Sequence, residues 1–199
     1  MNYFYPLLTI TLLVVTLYSH NIFAEKPAHQ HLTISQLEAA DVAATKEMII
    51  DVAYEKLGVR WSSRQELAQW CQKTGELNDV DNFATIYGPE HGGLFLVLKD
   101  DNTVVGSLGI RRLAADACEL KRGWILKQYR SSGWGTKMMQ QLLSFAVEHG
   151  YVFMRSEIDE PEDQQESISF HKKFGFYEIP AYKENTRGKL FLEKRLIPE

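Results

Sequence analysis

The strongest pattern of apolar and polar positions runs from Ala117 to Asp159. Ala117–Leu126 reads as a strand, followed by a short glycine-bearing turn, Arg130-Ser131-Ser132-Gly133-Trp134-Gly135. From Thr136 to His149, the apolar residues Met138, Met139, Leu142, Leu143, Ala146 and Val147 recur at the three- and four-residue spacing of one buried helix face. Lys137, Gln140, Gln141, Ser144 and Glu148 fall on the opposite face. Gly150 follows, able to take the left-handed conformation that closes a helix, and Tyr151–Asp159 reads as a second strand. Two strands joined through one helix run parallel with a right-handed crossover, because such a connection cannot close as a hairpin.

The flanking pattern predicts the remaining elements. Leu32–Leu37 reads as a strand. Asp41 is placed to cap a helix running to about Leu57, with Val42, Ile49, Val52, Ala53 and Leu57 apolar and Gly58 at its end. Ser63 and Glu66 form a capping box for a second helix carrying Leu67, Ala68, Trp70 and Cys71. Residues 75–93, rich in Asn, Asp and Gly, read as irregular. Gly93–Lys99 and Thr103–Leu113 are two strands around the Asp100-Asp101-Asn102 turn, a hairpin that leads through Ala114–Asp116 into the strand beginning at Ala117. Pro161-Glu162-Asp163 opens a further helix with Lys172 and Lys173 in its last turn and Gly175 beyond it; Phe176–Ile179 and Lys189–Leu196 complete the sheet. The expected class is α+β in α/β/α layers, with a mixed, mostly antiparallel central sheet and one parallel βαβ unit.

Composition sets the outer bounds. With 199 residues, of which 45% are hydrophobic and 24% charged, residues 32–199 suffice for one domain with a full core. The net charge of −4 argues against a nucleic-acid partner, which selects for a basic face. Cys71 and Cys118 lack metal-ligand spacing and read as free buried thiols; no metal is expected. Residues 1–24 stand apart: no side chain there is charged, and Leu7–Tyr18 is nearly all apolar. Ile22-Phe23-Ala24 before Glu25 offers a signal-peptide cleavage site, although the positive n-region is missing. Residues 3–23 are also long enough to span a bilayer, with ends weakened by Pro6, Ser19, His20 and Asn21. The segment reads as a signal peptide or membrane anchor, and residues 25–31 as a linker.

At the glycine turn, Gly133 and Gly135 keep side chains away, so amides from Ser131 to Thr136 can converge at the positive end of the helix dipole. Such a nest suits a phosphate or pyrophosphate; a turn serving chain geometry alone stays open. A dinucleotide fingerprint needs a third glycine where Met138 stands, and a Walker loop needs Gly-Lys-Ser/Thr where this chain has Gly135-Thr136-Lys137.

Arg130-Ser131-Ser132-Gly133-Trp134-Gly135 resembles the Arg/Gln-x-x-Gly-x-Gly/Ala hallmark of the Gcn5-related N-acetyltransferase (GNAT) superfamily, and Ile168–Tyr177 resembles the helix that ends in Lys-x-Gly-Phe near its C-terminus. The resemblance covers Leu32 to Leu196 and implies the GNAT fold and an acetyl-CoA-dependent N-acetyltransferase. It places the coenzyme against Arg130, Ser131, Ser132, Gly133, Trp134, Gly135 and Thr136, with Ser131 and Ser132 replacing a glycine and a basic residue and Lys137 restoring positive charge. Backbone from Trp124 to Lys127, including Ile125 and Lys127, is implied to pair with the pantetheine arm and to donate to the thioester oxygen. Gly123 fits close approach of that arm, or a strand bulge.

An alkylamine titrates near ~10.4, so a base assists attack. Glu119 stands on the strand where histone-type members carry their general-base glutamate; a salt-bridged role, with Lys121 beside it, stays open. Four residues before Gly175-Phe176, where many members carry a tyrosine acid, this chain has His171, with Tyr177 and Tyr182 as fallback donors. Residues between the first two strands are implied to cover the acceptor, making Trp61, Phe83 and Tyr87 either lining or loop packing. The expected partner is an amine acceptor, small molecule or protein; homodimerisation stays open. Because acetyl-CoA is cytosolic, the resemblance is met by an uncleaved anchor with a cytoplasmic domain, against export after cleavage. A non-catalytic acyl-CoA-binding sensor and an O-acetyltransferase are the alternatives.

Overall fold

In a computed structural model, which describes residues 31–184 and 186–197, Phe95 to Leu98 are all buried. Phe95 and Val97 enter one apolar cluster, Leu96 and Leu98 the other, so β2 (Leu94–Asp100) lies in a sheet covered on both faces. The sheet runs β1-β2-β3-β4-β5-β7-β6, comprising β1 (Leu32–Gln36), β2, β3 (Thr103–Arg112), β4 (Ala117–Ile125), β5 (Phe153–Ile158), β6 (Tyr177–Ile179) and β7 (Leu190–Arg195). All neighbours are antiparallel except β4 and β5, the parallel pair expected of the βαβ unit.

One face is covered by α5 (Trp134–Glu148) and α6 (Gln165–Lys173), through Met138, Met139, Leu142, Ala146 and Ile168. The other is covered by α1 (Val42–Leu57), α2 (Arg64–Thr74), α3 (Asn78–Asp81) and α4 (Phe83–Tyr87). This is the mixed α/β/α arrangement expected. The capping box at α2 forms: Ser63 Oγ accepts from Glu66 N at 3.2 Å, while the Glu66 carboxylate accepts from Ser62 N at 2.8 Å. Both cysteines are free and buried, and burial pushes the Cys118 thiol up to about 12.

Several boundaries differ from the pattern. Residues 75–93 contain α3 and α4, each too short to show a helical period. Asp41 does not cap α1: its backbone is already helical, and its carboxylate pairs with Lys99 at 2.7 Å. α5 begins at Trp134 rather than Thr136, and Val147 is 46% exposed because it lies past the arc set by Met138, Leu142 and Ala146. β5 begins at Phe153; Tyr151 is instead buried, its hydroxyl donating to Gly92 O at 2.7 Å. α6 begins at Gln165, leaving 161–163 in a turn, and Phe176 packs on His171 before β6 starts.

The signal-peptide or anchor reading and the linker up to Gln30 lie outside the described residues; among the described residues no helix is long and apolar enough to cross a membrane. Leu142 is fully enclosed between α5 and the sheet. Leu142→Ala is expected to cost about 2–5 kcal/mol, read as a lower denaturation midpoint at unchanged slope.

Candidate active site

β4 and β5 pair only through Ala117↔Phe153, Cys118↔Met154 and Glu119↔Arg155. Beyond that, β5 stays with β7 as far as Ile158↔Leu190, while β4 stays with β3 as far as Gly106↔Ile125. A wedge opens between the parallel strands, and the edge of β4 from Leu120 to Ile125 faces it without a strand partner. A bulge sits in this edge: β3 and β4 match at Ser107↔Trp124 and again at Gly109↔Lys121, so Leu108 opposes both Arg122 and Gly123. Arg122 takes φ 57, and a Cβ at Gly123 would lie 2.9 Å from Leu108 Cδ1. The bulge, one of the two readings open for Gly123, is therefore present. It turns Lys121 and Arg122 onto the same face, where both line an open cleft of about 300 Å³.

The glycine turn stands at the far end of β4. The strand stops at Ile125; Lys127 starts a 3₁₀ turn ending at Tyr129, so it is not strand backbone as expected. Ser131 (φ 58) and Gly133 (φ 88) both have positive φ, and Arg130 ahead of them is extended, so the chain reverses sharply into the helix N-terminus. Lys137 N is the first to bond back, to Gly133 O at 3.1 Å, leaving Trp134, Gly135 and Thr136 N–H ahead of the helical ladder. The glycines differ in purpose. Gly133 needs only its conformation, a Cβ there meeting nothing within 4 Å, whereas a Cβ at Gly135 would touch Ile125 and Phe170.

Side chains brace this loop from outside. Arg130 Nε donates to Ile125 O at 2.7 Å, and its two terminal nitrogens grip the Glu55 carboxylate, each at 2.9 Å. Ser132 Oγ donates to Tyr129 O at 2.5 Å. Lys137 lies over the Trp134 ring, 3.9 Å from its centroid, and Lys173 reaches Thr136 Oγ1 at 3.4 Å. The site on offer is thus a backbone nest at a helix N-terminus opening onto an unpaired strand edge, which fits an elongated ligand with a phosphate-rich end.

The opposite face of the wedge is ionic. Glu119, wholly buried, accepts from Arg111 Nε (2.9 Å) and Nη2 (2.7 Å), Tyr182 Oη (2.8 Å) and Lys183 Nζ (2.6 Å). Burial alone would raise its proton affinity, but the charges of Lys121, Lys183 and Arg111 outweigh it and hold the carboxyl below its usual range. Lys121 pairs with Glu157 at 3.0 Å rather than with Glu119. Lys183 Nζ also lies 2.8 Å from Glu157 Oε1, bridging β4 to β5. Deeper in the cleft, Arg122 forks onto Asp79 at 2.9 and 2.7 Å. Tyr87 is buried with its hydroxyl on Asp79 at 2.5 Å; the Trp61 ring lies tilted against Trp70, and Phe83 packs in the same cluster. All three thus pack in the helix-covered cluster on this face, Tyr87 fully buried and Trp61 and Phe83 half-buried. Lys183, Glu157 and Arg122 were not singled out by pattern, although the alternation Arg155, Glu157, Asp159 along one strand already marked a charged face.

His171 belongs to α6, its side chain buried against the sheet. Its Nδ1 faces Ser167 O at 2.7 Å and Nε2 faces Ser156 Oγ at 3.0 Å. A carbonyl only accepts, so Nδ1 carries the proton and the neutral ring accepts the Ser156 hydroxyl at Nε2. Burial lowers its proton affinity. Tyr177 Oη is engaged by Glu193 at 2.5 Å.

The ionic face sets acid stability. Burial pushes Glu157 up, yet hydrogen bonds from Lys183 and Thr186 and the charge of Lys121 pull it down to about 2. A depressed carboxylate contributes stability above its unfolded value, near ~4.3, and loses it as pH falls toward the folded one. Between pH ~5 and ~2 the protein is expected to lose stability more steeply than Glu157→Gln, measured as thermal midpoints across that range.

The sequence model of the Acetyltransferase (GNAT) family matches residues 59–176. An uncharacterized N-acetyltransferase of Schizosaccharomyces pombe is 23% identical over 100 residues, 50% of this chain and 60% of that protein, so the chain spans about 60% of its curated relative. The crystal structure of a GNAT-family acetyltransferase from Staphylococcus aureus superposes with a TM-score of 0.69 at 17% identity, covering 83% of this chain and 99% of that one. PaiA N-acetyltransferase of Thermoplasma acidophilum, solved with coenzyme A, gives 0.65 at 17% identity, with 82% and 98% covered. The family model covers more than half of the chain and the fold agrees with it: the chain belongs to the GNAT acetyltransferase family.

Proposed function

We propose that this chain binds acetyl-CoA along the open edge of β4 and transfers the acetyl group to an amine by direct attack on the thioester. The observation that carries this reading is the parting of β4 from β5 after Glu119, which leaves a strand edge leading from the amide nest at Ser131–Thr136 to the ionic face. The nest receives the diphosphate; the pantetheine arm completes the β4 edge as an added strand; and the thioester arrives at the bulge, where a backbone N–H meets the negative charge developing on its oxygen. Ile125 contributes through its backbone, and Lys127 follows it at the turn.

The acceptor enters from the opposite face. Its nitrogen attacks the carbonyl carbon, and Glu119 takes the released proton once Lys183 and Tyr182 draw back, passing it to water as its low proton affinity requires. The thiolate leaves readily because thiols titrate near ~8.5. His171 accepts the Ser156 hydroxyl at Nε2, and this pair is the one we assign to the departing sulfur. A second reading, coenzyme binding without turnover, is favoured by the sealing of Glu119 beneath Tyr182 and Lys183.

Free-thiol release from acetyl-CoA with a panel of amines separates the two. Glu119→Gln is expected to lower kcat on the order of a hundredfold at unchanged coenzyme Kd. Ser132→Asp, which sets a negative charge beside the diphosphate, is expected to raise the coenzyme Kd roughly tenfold by calorimetry while leaving the fold intact, since Ser132 is exposed. Tight coenzyme binding with no thiol release for any amine would establish the second reading.

A further inference from the structure

The ammonium of Lys183 sits between two carboxylates that line the wedge. Its Nζ is 2.6 Å from Glu119 Oε1 and 2.8 Å from Glu157 Oε1, one carboxylate on each wall of the wedge, at the level where β4 and β5 cease to pair. Lys183 comes from the connection between β6 and β7, so it enters from the acceptor face as an external amine would. Lys121, whose Nζ also meets Glu157 at 3.0 Å, instead rises from β4 itself and does not reach Glu119. The Lys183 side chain is 25% exposed, leaving it room to move.

We propose that Lys183 is an autoacetylation site, its own amine accepting the acetyl group from acetyl-CoA bound in the wedge. This rests on the coenzyme reading above. One ammonium proton passes to Glu119 and on to solvent. The nitrogen then attacks, a carbon–nitrogen amide bond forms, the carbon–sulfur bond breaks, and the nitrogen's second proton goes to the departing sulfur. The products are acetylated Lys183, free coenzyme A thiol and one proton. Acetylation removes the positive charge, so both ion pairs are lost and the tie between the β6–β7 connection and the two strands is released, uncovering Glu119. The modification would convert a sealed acceptor face into an open one.

The test incubates the purified full chain with acetyl-CoA and no amine and maps acetylated peptides over time, with coenzyme A protection against thermal unfolding measured on the same preparation. Modification of Lys183 at least about tenfold faster than that of the exposed Lys172 and Lys173, lost when the chain is first denatured and slowed in Ser132→Asp, supports the proposal. Lys183→Arg, which keeps the charge, is expected to abolish the modification while melting near the parent. Acetylation of Lys121 in preference, equal rates at the surface lysines, or coenzyme protection with Lys183 unmodified overturns autoacetylation and leaves the coenzyme site standing. No protection by coenzyme A overturns both.

Discussion

A parallel strand pair that stops pairing partway leaves backbone donors and acceptors that must find other partners, and the rest of this molecule answers that constraint. Buried amides and carbonyls are almost never left unmatched in folded proteins. Here β5 turns its attention to β7 and β4 to β3, leaving an inner edge of β4 from Leu120 to Ile125. The bulge at Arg122–Gly123 keeps that edge twisted out of register, and the Arg122 fork onto Asp79 fixes the twist by tying the strand to α3. Under the proposed coenzyme reading, an elongated ligand with its own amides resolves the constraint without moving the sheet.

The two faces of the wedge are built from different chemistry, which follows from the pleat. Cys118 and Leu120 point toward α5 and α6 and join the apolar cluster there, while Glu119 points to the other side and must be neutralised. Removing a carboxylate from water costs several kcal/mol unless it is paired and fully hydrogen-bonded. Arg111 supplies one partner from the neighbouring strand, and Tyr182 and Lys183 complete the set from the β6–β7 connection. Folding of that connection is therefore coupled to the charge of a single buried residue. Arg187, lying over the Trp70 ring and paired with Glu76 at 2.5 Å, extends the same coupling to α2.

Much of this fold could be read from the chain because its decisive elements are long or strictly patterned. The βαβ unit carries about three turns of one apolar stripe, and the hairpin strands are near-continuous apolar runs around an Asp-Asp-Asn turn. The short α3 and α4 gave no periodic signal, and Asp41 looked like a cap because its residue type fits, whereas Lys99 claims its carboxylate. The glycine turn was legible because Gly133 takes a positive φ that favours glycine and Gly135 stands two residues on in the hallmark spacing. The ionic face was not, since Glu119, Glu157 and Lys183 come from three distant segments and show no shared spacing. Only the fold brings the Lys183 ammonium within 3 Å of both carboxylates.

Ser131 shows why motif and geometry together say more than either alone. A non-glycine residue in the left-handed region costs on the order of 1–3 kcal/mol, and nothing in the packing of the loop forces serine there. The strain persists because the loop is braced on both sides: Arg130 pins its start to Ile125 and Glu55, and Ser132 ties back to Tyr129. That bracing holds the amides convergent before any ligand arrives, so ordering the loop need not be charged against binding. A glycine at Ser131 would relieve the strain yet widen the ensemble of the free loop, and the two effects oppose each other in affinity. The arrangement trades backbone comfort for a loop whose shape is fixed by its own braces.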